Sequence, residues 1–362
     1  MNKIKTNEWH WNKATDYPPS NGVRVFSCFA CGGGSSMGYK FAGCDVIGIN
    51  EIDESLVKVY KQNFELADES IYTCDIRLLL EKARNKELSK ELYDLDILDA
   101  SPPCSTFSNA GLREKSWGVE RTFREGQVKQ RLDDLPFVTC ELIGELKPKV
   151  AIIENVEGLI RGSAKTLYFQ KIVEMLHNYG YKLLAKVLHA EDMGVPQRRH
   201  RVFIIAFRED LSDYLNELTL NYNYEPIVYS EIKTTDTRPI KSDCVFAKLL
   251  QKAKKGDKSI ADVRKRIGEK ANGFQEYLVW DEDIMPTLRA KPDVFEMPSM
   301  RVIGSKTFAN AQTFPQDYDF TGTTKSLKDF IIGMSVPPLM VKRIAQSIID
   351  TGVFKKKVLK RA

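Results

Sequence analysis

The feature that most restricts this chain's fold is an alternation running through its first two hundred or so residues. Short apolar runs exchange there with stretches of helical spacing. Val23–Phe29, Cys44–Asn50, Asp96–Ala100, Val150–Glu154, Leu183–His189 and Arg201–Phe207 have the length and pattern of strands. The segments after Asp53, Ile76, Asp133 and Lys165 repeat apolar residues at helical intervals and open on capping residues or acids. Chains that alternate in this way bury a mostly parallel sheet between helices, an α/β fold. The last two runs are separated only by the loop Ala190–His200, too short for a crossover helix, so an antiparallel last pair is expected at the sheet edge. The pattern lapses after Glu209. Residues 210–322 are more polar, mix aromatics with Lys and Arg, and place Pro226, Pro239, Pro286, Pro292, Pro298 and Pro315 near element boundaries. We read them as a second, smaller domain, with 1–209 and 323–362 forming the larger one. Leu339–Ile349 is amphipathic and is expected to pack back onto the larger domain.

An apolar fraction of 43% and a charged fraction of 28% exclude a disordered or fibrous chain. No apolar run reaches bilayer length and the first twenty residues lack a signal-type core, so a cytoplasmic protein is expected. The seven Cys are odd in number and scattered, which reads as reduced thiols. None of the four His is paired at ligand spacing, so no metal site is expected. The net charge of +5 is modest, but its distribution is uneven. Basic residues crowd Leu112–Arg131, the run from Lys248 to Lys270, and the tail from Lys355 to Arg361. Each alone is an ordinary solvated surface; together they suit a polyanion whose phosphates release counterions on binding.

Chemistry concentrates where strands end. The first strand enters Phe29-Ala30-Cys31-Gly32-Gly33-Gly34, a turn whose backbone can approach a nucleotide-type ligand. The second ends in Glu51, whose carboxylate can accept both ribose hydroxyls of an adenosine, and Asp75-Ile76 is placed to hold an adenine. A plain tight turn is a rival reading, and a dinucleotide-binding dehydrogenase looks similar, although its G-x-G-x-x-G fingerprint is not cleanly present. The run Asp96–Ala100 leads into Ser101-Pro102-Pro103-Cys104, where the prolines stiffen the backbone and present the sulfur in a polar loop rather than in the core. The run Val150–Glu154 continues into Asn155-Val156; Glu154 can protonate or hydrogen-bond a bound base, or merely cap a helix. In Gln197-Arg198-Arg199-His200-Arg201, alternate residues point the same way, so Arg199 and Arg201 can converge on one site, or simply protect an edge strand.

In this order and spacing the motifs, completed by Gln312-Thr313-Phe314-Pro315 and Gly333-Met334-Ser335-Val336-Pro337, resemble the DNA (cytosine-5)-methyltransferases of bacterial and phage modification systems, from about Val23 to Asp350. The resemblance implies a class I, Rossmann-like S-adenosylmethionine (AdoMet) domain with a seven-stranded, mostly parallel sheet, and a smaller target-recognition domain for double-stranded DNA. It implies Cys104 as the nucleophile on cytosine C6, Glu154 at N3, and Arg201 with Arg199 at O2 and nearby phosphate. It places AdoMet against Phe29, Gly32, Gly34, Glu51, Ile52, Asp75, Ile76, Pro103, Leu135, Ser335 and Val336, and likens Ser105–Arg131 to a closing loop. The run 248–270 would position phosphates. A monomer is expected, with a cognate restriction endonuclease as functional partner. A tRNA cytosine-5 methyltransferase and an inactive DNA-binding protein stay open as alternatives. Four departures stand out: Cys31 where the family has Gly, Ser105 where it has Gln, Met334 where it has Asn, and Lys306, Thr307 and Asn310 where it has an ion-pair network.

Overall fold

The computed structural model describes residues 3–103, 120–121, 130–161, 163–241, 245–271 and 276–355. The chain forms two compact units, one of Tyr17–Leu188, His200–Asn221 and Val341–Ala362, the other of Met1–Asp16, His189–Arg199 and Tyr222–Met340.

The first unit is built on the strands β1 (Arg24–Cys28), β2 (Asp45–Asn50), β3 (Ile71–Tyr72), β4 (Ile97–Ala100), β5 (Val150–Val156), β6 (Tyr181–His189) and β7 (His200–Arg208). They form one seven-stranded sheet in the order β3-β2-β1-β4-β5-β7-β6. From β3 to β5 every pairing is parallel, as the strand–helix alternation predicts. The last strand inserts between β5 and β6 and runs antiparallel to β5. The sheet is therefore mostly parallel but mixed.

Its helices begin where the sequence supplies caps. Helix α1 (Gly34–Phe41) follows the glycine turn. The Asp53 carboxylate accepts the Ser55 N–H (2.9 Å) to start α2 (Glu54–Asn63), and Asp75 accepts the Arg77 N–H (2.8 Å) to start α3 (Ile76–Arg84). Two longer helices, α4 (Leu135–Leu146) and α5 (Ser163–Asn178), precede β5 and β6. Phe26, Leu98, Ala151, Ile153, Val202 and Ile204 bury one sheet face against Leu79, Leu142, Ile143, Ile172 and Leu176. Apart from Ala151, each of these side chains contributes about 1.5–3 kcal/mol of transfer free energy.

The second unit carries a smaller sheet of β8 (Thr237–Pro239), β9 (Tyr277–Val279), β10 (Val294–Glu296) and β11 (Arg301–Ile303), ordered β8-β11-β10-β9. Tyr229, Ile232, Phe308, Ala311 and Ile332 form one of its cores, and Leu249, Leu250, Ile260, Val263 and Phe295 another. Helices α6 (Ser305–Ala311) and α7 (Lys325–Met334) belong to it. Helix α8 (Pro338–Asp350) matches the predicted amphipathic segment, and its Lys342 lies 3.8 Å from the centre of the Phe41 ring in the first unit.

Candidate active site

In the first unit the chemistry-bearing residues gather at the carboxyl ends of parallel strands, where an open α/β sheet forms its ligand crevice. After β1 the chain turns sharply. Phe29 and Cys31 both lie in the left-handed region (φ 57° and 50°) and Gly33 follows at φ 86°. The turn is tied to the tip of β2 by Glu51, which accepts the Cys31 N–H (2.9 Å) and the Asp53 N–H (3.0 Å). Glu51 is 7% exposed, and burial raises its pKa against the lowering effect of those N–H groups. Ile52 is partly exposed beside it, while Gly32 and Gly34 are buried. Asp75 pairs with Arg77 (2.9 Å), which reaches on to Asp134 at the start of α4. Ile76 and Leu135 lie in the core.

On β5, Glu154 is 8% exposed and forms an ion pair with Arg201 of β7 (Oε1 to Nε 3.1 Å). Burial pulls the Arg201 guanidinium below its ordinary pKa, with the Glu154 charge opposing that shift. The next residue, Asn155, donates its side-chain amide to the Pro102 carbonyl (3.3 Å) and accepts the Val156 N–H (2.8 Å). It thereby holds the Pro-Pro segment that leads to Cys104. Pro103 is half-buried. Cys104, Ser105 and most of the expected closing loop lie outside the described residues; within that stretch, Glu120–Arg121 and Gln130–Arg131 pair as a short antiparallel ladder.

The structure brings Glu154 and Arg201 together but engages Arg199 differently. Arg199 is 3% exposed and donates to the carbonyls of Leu288 (3.4 Å) and Gly333 (3.2 Å), inside the second unit. Gly333 is needed there, because a Cβ would come within 1.9 Å of the Arg289 carbonyl oxygen. Gln197 joins this network through Gln312, and its Oε1 accepts the Leu288 N–H (3.0 Å). Gln312 also donates to the Ser335 carbonyl. Ser335 and Val336 are buried, and the Ser335 Oγ has no hydrogen-bond partner among the described residues. Where the sequence departs from the family's ion-pair network, Thr307 and Asn310 make neutral hydrogen bonds, as that departure implies. The Thr307 hydroxyl oxygen accepts the Thr234 N–H (3.1 Å), and Asn310 donates to the Ile232 carbonyl (2.9 Å).

Three participants escaped the sequence reading: Asn155, Asp99 and Tyr39. Asp99 sits inside β4, 3% exposed, between the fully buried Leu98 and Ala100. It accepts the Ser27 hydroxyl (2.8 Å) and the Tyr39 hydroxyl (3.0 Å). Burial pushes its carboxyl up to about 6, Ser27, Tyr39 and Ser35 pull the other way, and the Glu154 charge adds to the rise. A single acid within the apolar run Ile97–Ala100 was the available signal.

The strand order and the polar residues at the strand ends define a Rossmann-like methyltransferase. A family model described as C-5 cytosine-specific DNA methylase matches residues 23–350, and the chain belongs to that family of DNA methyltransferases. It is 26% identical to the type II methyltransferase M.Bsp6I of Bacillus sp. (strain RFL6), over 90% of this chain and 98% of that protein. It is also 26% identical to M.HindV of Haemophilus influenzae, over 91% of this chain and 97% of the other. A candidate DNA modification methyltransferase encoded within a prophage of E. coli shares the fold, with a TM-score of 0.64, 22% identity, and coverage of 91% of this chain and 99% of that one. The family implies AdoMet as co-substrate and DNA as substrate. Within the first unit the residues fit AdoMet: Glu51 is a buried carboxylate held by backbone N–H groups. No described helix is long and apolar enough to cross a membrane.

Proposed function

We propose that the chain methylates C5 of a cytosine turned out of double-stranded DNA, with Cys104 adding to C6. The observation that carries this reading is the buried Glu154–Arg201 pair, one strand over from a Pro-Pro segment that Asn155 anchors. Cytosine C5 is too weakly nucleophilic to be alkylated directly. Bonding of the Cys104 sulfur to C6 makes an enamine, and loss of the C5 proton after transfer expels the thiolate again. Glu154 faces N3, so that negative charge does not accumulate on the ring, and Arg201 orients O2. Arg199 orders the second unit, through the carbonyls of Leu288 and Gly333. AdoMet, when bound, supplies an electrophilic methyl on a cationic sulfur. Phe29, Gly32, Gly34, Glu51, Ile52, Asp75, Ile76, Pro103 and Leu135 hold it together with Ser335 and Val336, Glu51 taking the ribose hydroxyls.

Residues 210–322 read the target. Arg198, Tyr277, Pro286 and Thr287 line a cavity of about 190 Å³ in the second unit, and the Arg198 guanidinium carries no ion pair among the described residues. An Arg so presented suits a guanine edge in the major groove. The chain acts as a monomer in the cytoplasm of a bacterium, protecting sites that a cognate restriction endonuclease would cut.

The test is incubation with AdoMet and duplex DNA carrying 5-fluorocytosine. That base blocks proton loss at C5, so a covalent complex that survives denaturation is expected from the native chain and none from Cys104→Ala. No complex across a DNA library of many sequence contexts would overturn the mechanism.

A further inference from the structure

The carboxylate of Asp99 has no cation beside it among the described residues, although it is almost fully buried. A buried charge stabilised only by neutral hydroxyls is costly, and an apolar residue would pack there at less cost. Its position links two parts of the site. Ser27 in β1 and Ile152 in β5 flank it in register, and Ser35, in the first turn of α1, follows the glycine turn directly. The strand that bears Asp99 leads through Pro102 and Pro103 to Cys104. Glu154, two residues beyond Ile152 on β5, lies on the same sheet face.

The proposed reaction restricts where the sulfonium sits. The transferred carbon must reach C5 while the neighbouring C6 is bonded to the Cys104 sulfur, so the sulfonium lies near the end of β4. Methyl transfer turns that cation into the neutral thioether of S-adenosylhomocysteine. A fixed negative charge in this low-dielectric floor attracts the cofactor before the reaction and not its product after it.

We propose that Asp99 is a buried counter-charge that makes the site prefer AdoMet to S-adenosylhomocysteine. The inference rests on AdoMet binding at this turn. Its hydrogen bonds also position α1 against β4, and that effect alone would act on both ligands equally.

The experiment is calorimetric titration of AdoMet and of S-adenosylhomocysteine into the native chain, Asp99→Asn and Tyr39→Phe, with thermal melts confirming that each is folded. Asp99→Asn keeps the shape and an acceptor but removes the charge; Tyr39→Phe keeps the charge and removes one hydrogen bond. The expected result is an AdoMet-to-product affinity ratio lowered by about tenfold in Asp99→Asn and unchanged in Tyr39→Phe. A ratio unchanged in Asp99→Asn overturns the inference alone. Failure of the native chain to bind AdoMet overturns the cofactor reading and the inference with it.

Discussion

At the scale of single residues, the structure sets two side chains against local preference, and both have measurable consequences. Asp99 is raised from an ordinary value of 3.8 to about 6 by burial. A carboxyl whose folded pKa lies above its unfolded one stabilises the fold below the unfolded value and loses that contribution as pH rises through the folded one. At neutral pH the ionised form is thus a penalty of roughly 3 kcal/mol. Asp99→Asn should therefore melt higher than the native chain at pH 7, by an amount that shrinks as pH falls from 6 to 4. Paired melts across that range check it, and a constant difference would contradict it. Cys31 lies at φ 50°, where a Cβ is strained by about 1 kcal/mol. Cys31→Gly should restore the family's residue with stability raised or unchanged in chemical denaturation. The sequence exposed Cys31 as a departure, and the conformation follows from the neighbouring glycines. Asp99 looked like one polar residue in a strand, because its partners Ser27 and Tyr39 are more than fifty residues away in sequence.

At the scale of elements, the site depends on how strand ends are braced. Asn155 joins β5 to the Pro102 carbonyl, so Asn155→Ala should cost about 1–2 kcal/mol in stability while lowering turnover far more than AdoMet affinity. Single-turnover rates beside AdoMet titrations separate the two effects; equal losses in both would show Asn155 to be merely structural. Gly333→Ala must push aside the Arg289 backbone to which Arg199 is also coupled through Gly333, and should destabilise by about 1–3 kcal/mol or more. Thermal melting reports it. The motifs containing Asn155, Gln197, Gln312 and Gly333 were all visible in the chain. Their mutual bonds were not, because each joins segments whose approach is decided by packing. The same holds for Thr307 and Asn310, whose neutral hydrogen bonds stand where the family has ion pairs.

At the scale of the whole molecule, the net charge of +5 matters less than how its cations are engaged. Within the basic run of the second unit, Lys255 pairs with Glu282 (2.5 Å), Lys258 with Asp283, and Arg266 with Asp257 (2.8 Å). Lys248, Lys252, Lys254 and Lys265 are exposed and carry no ion pair among the described residues. If they face phosphates, replacing Lys252, Lys254 and Lys265 with Ala should weaken binding to all duplex sequences alike. The slope of log affinity against log salt should then flatten by about 0.9 for each lost contact. Binding isotherms at several salt concentrations read this directly, and an unchanged slope would place the phosphate contacts elsewhere.

The sequence by itself determined the α/β class, the strand ends that carry chemistry, and the family. Those signals are local: apolar periodicity, capping acids, and short motifs in a set order. Only the tertiary structure decided that the last strand slips between β5 and β6, that Arg201 pairs with Glu154 while Arg199 turns to backbone carbonyls, and that a lone acid lies buried in β4. Strand register and burial arise from contacts between residues far apart in the chain, and no local pattern encodes them. Cys104 was legible from its prolines; the floor beneath its strand was legible only once β1, α1, β4 and β5 were packed together.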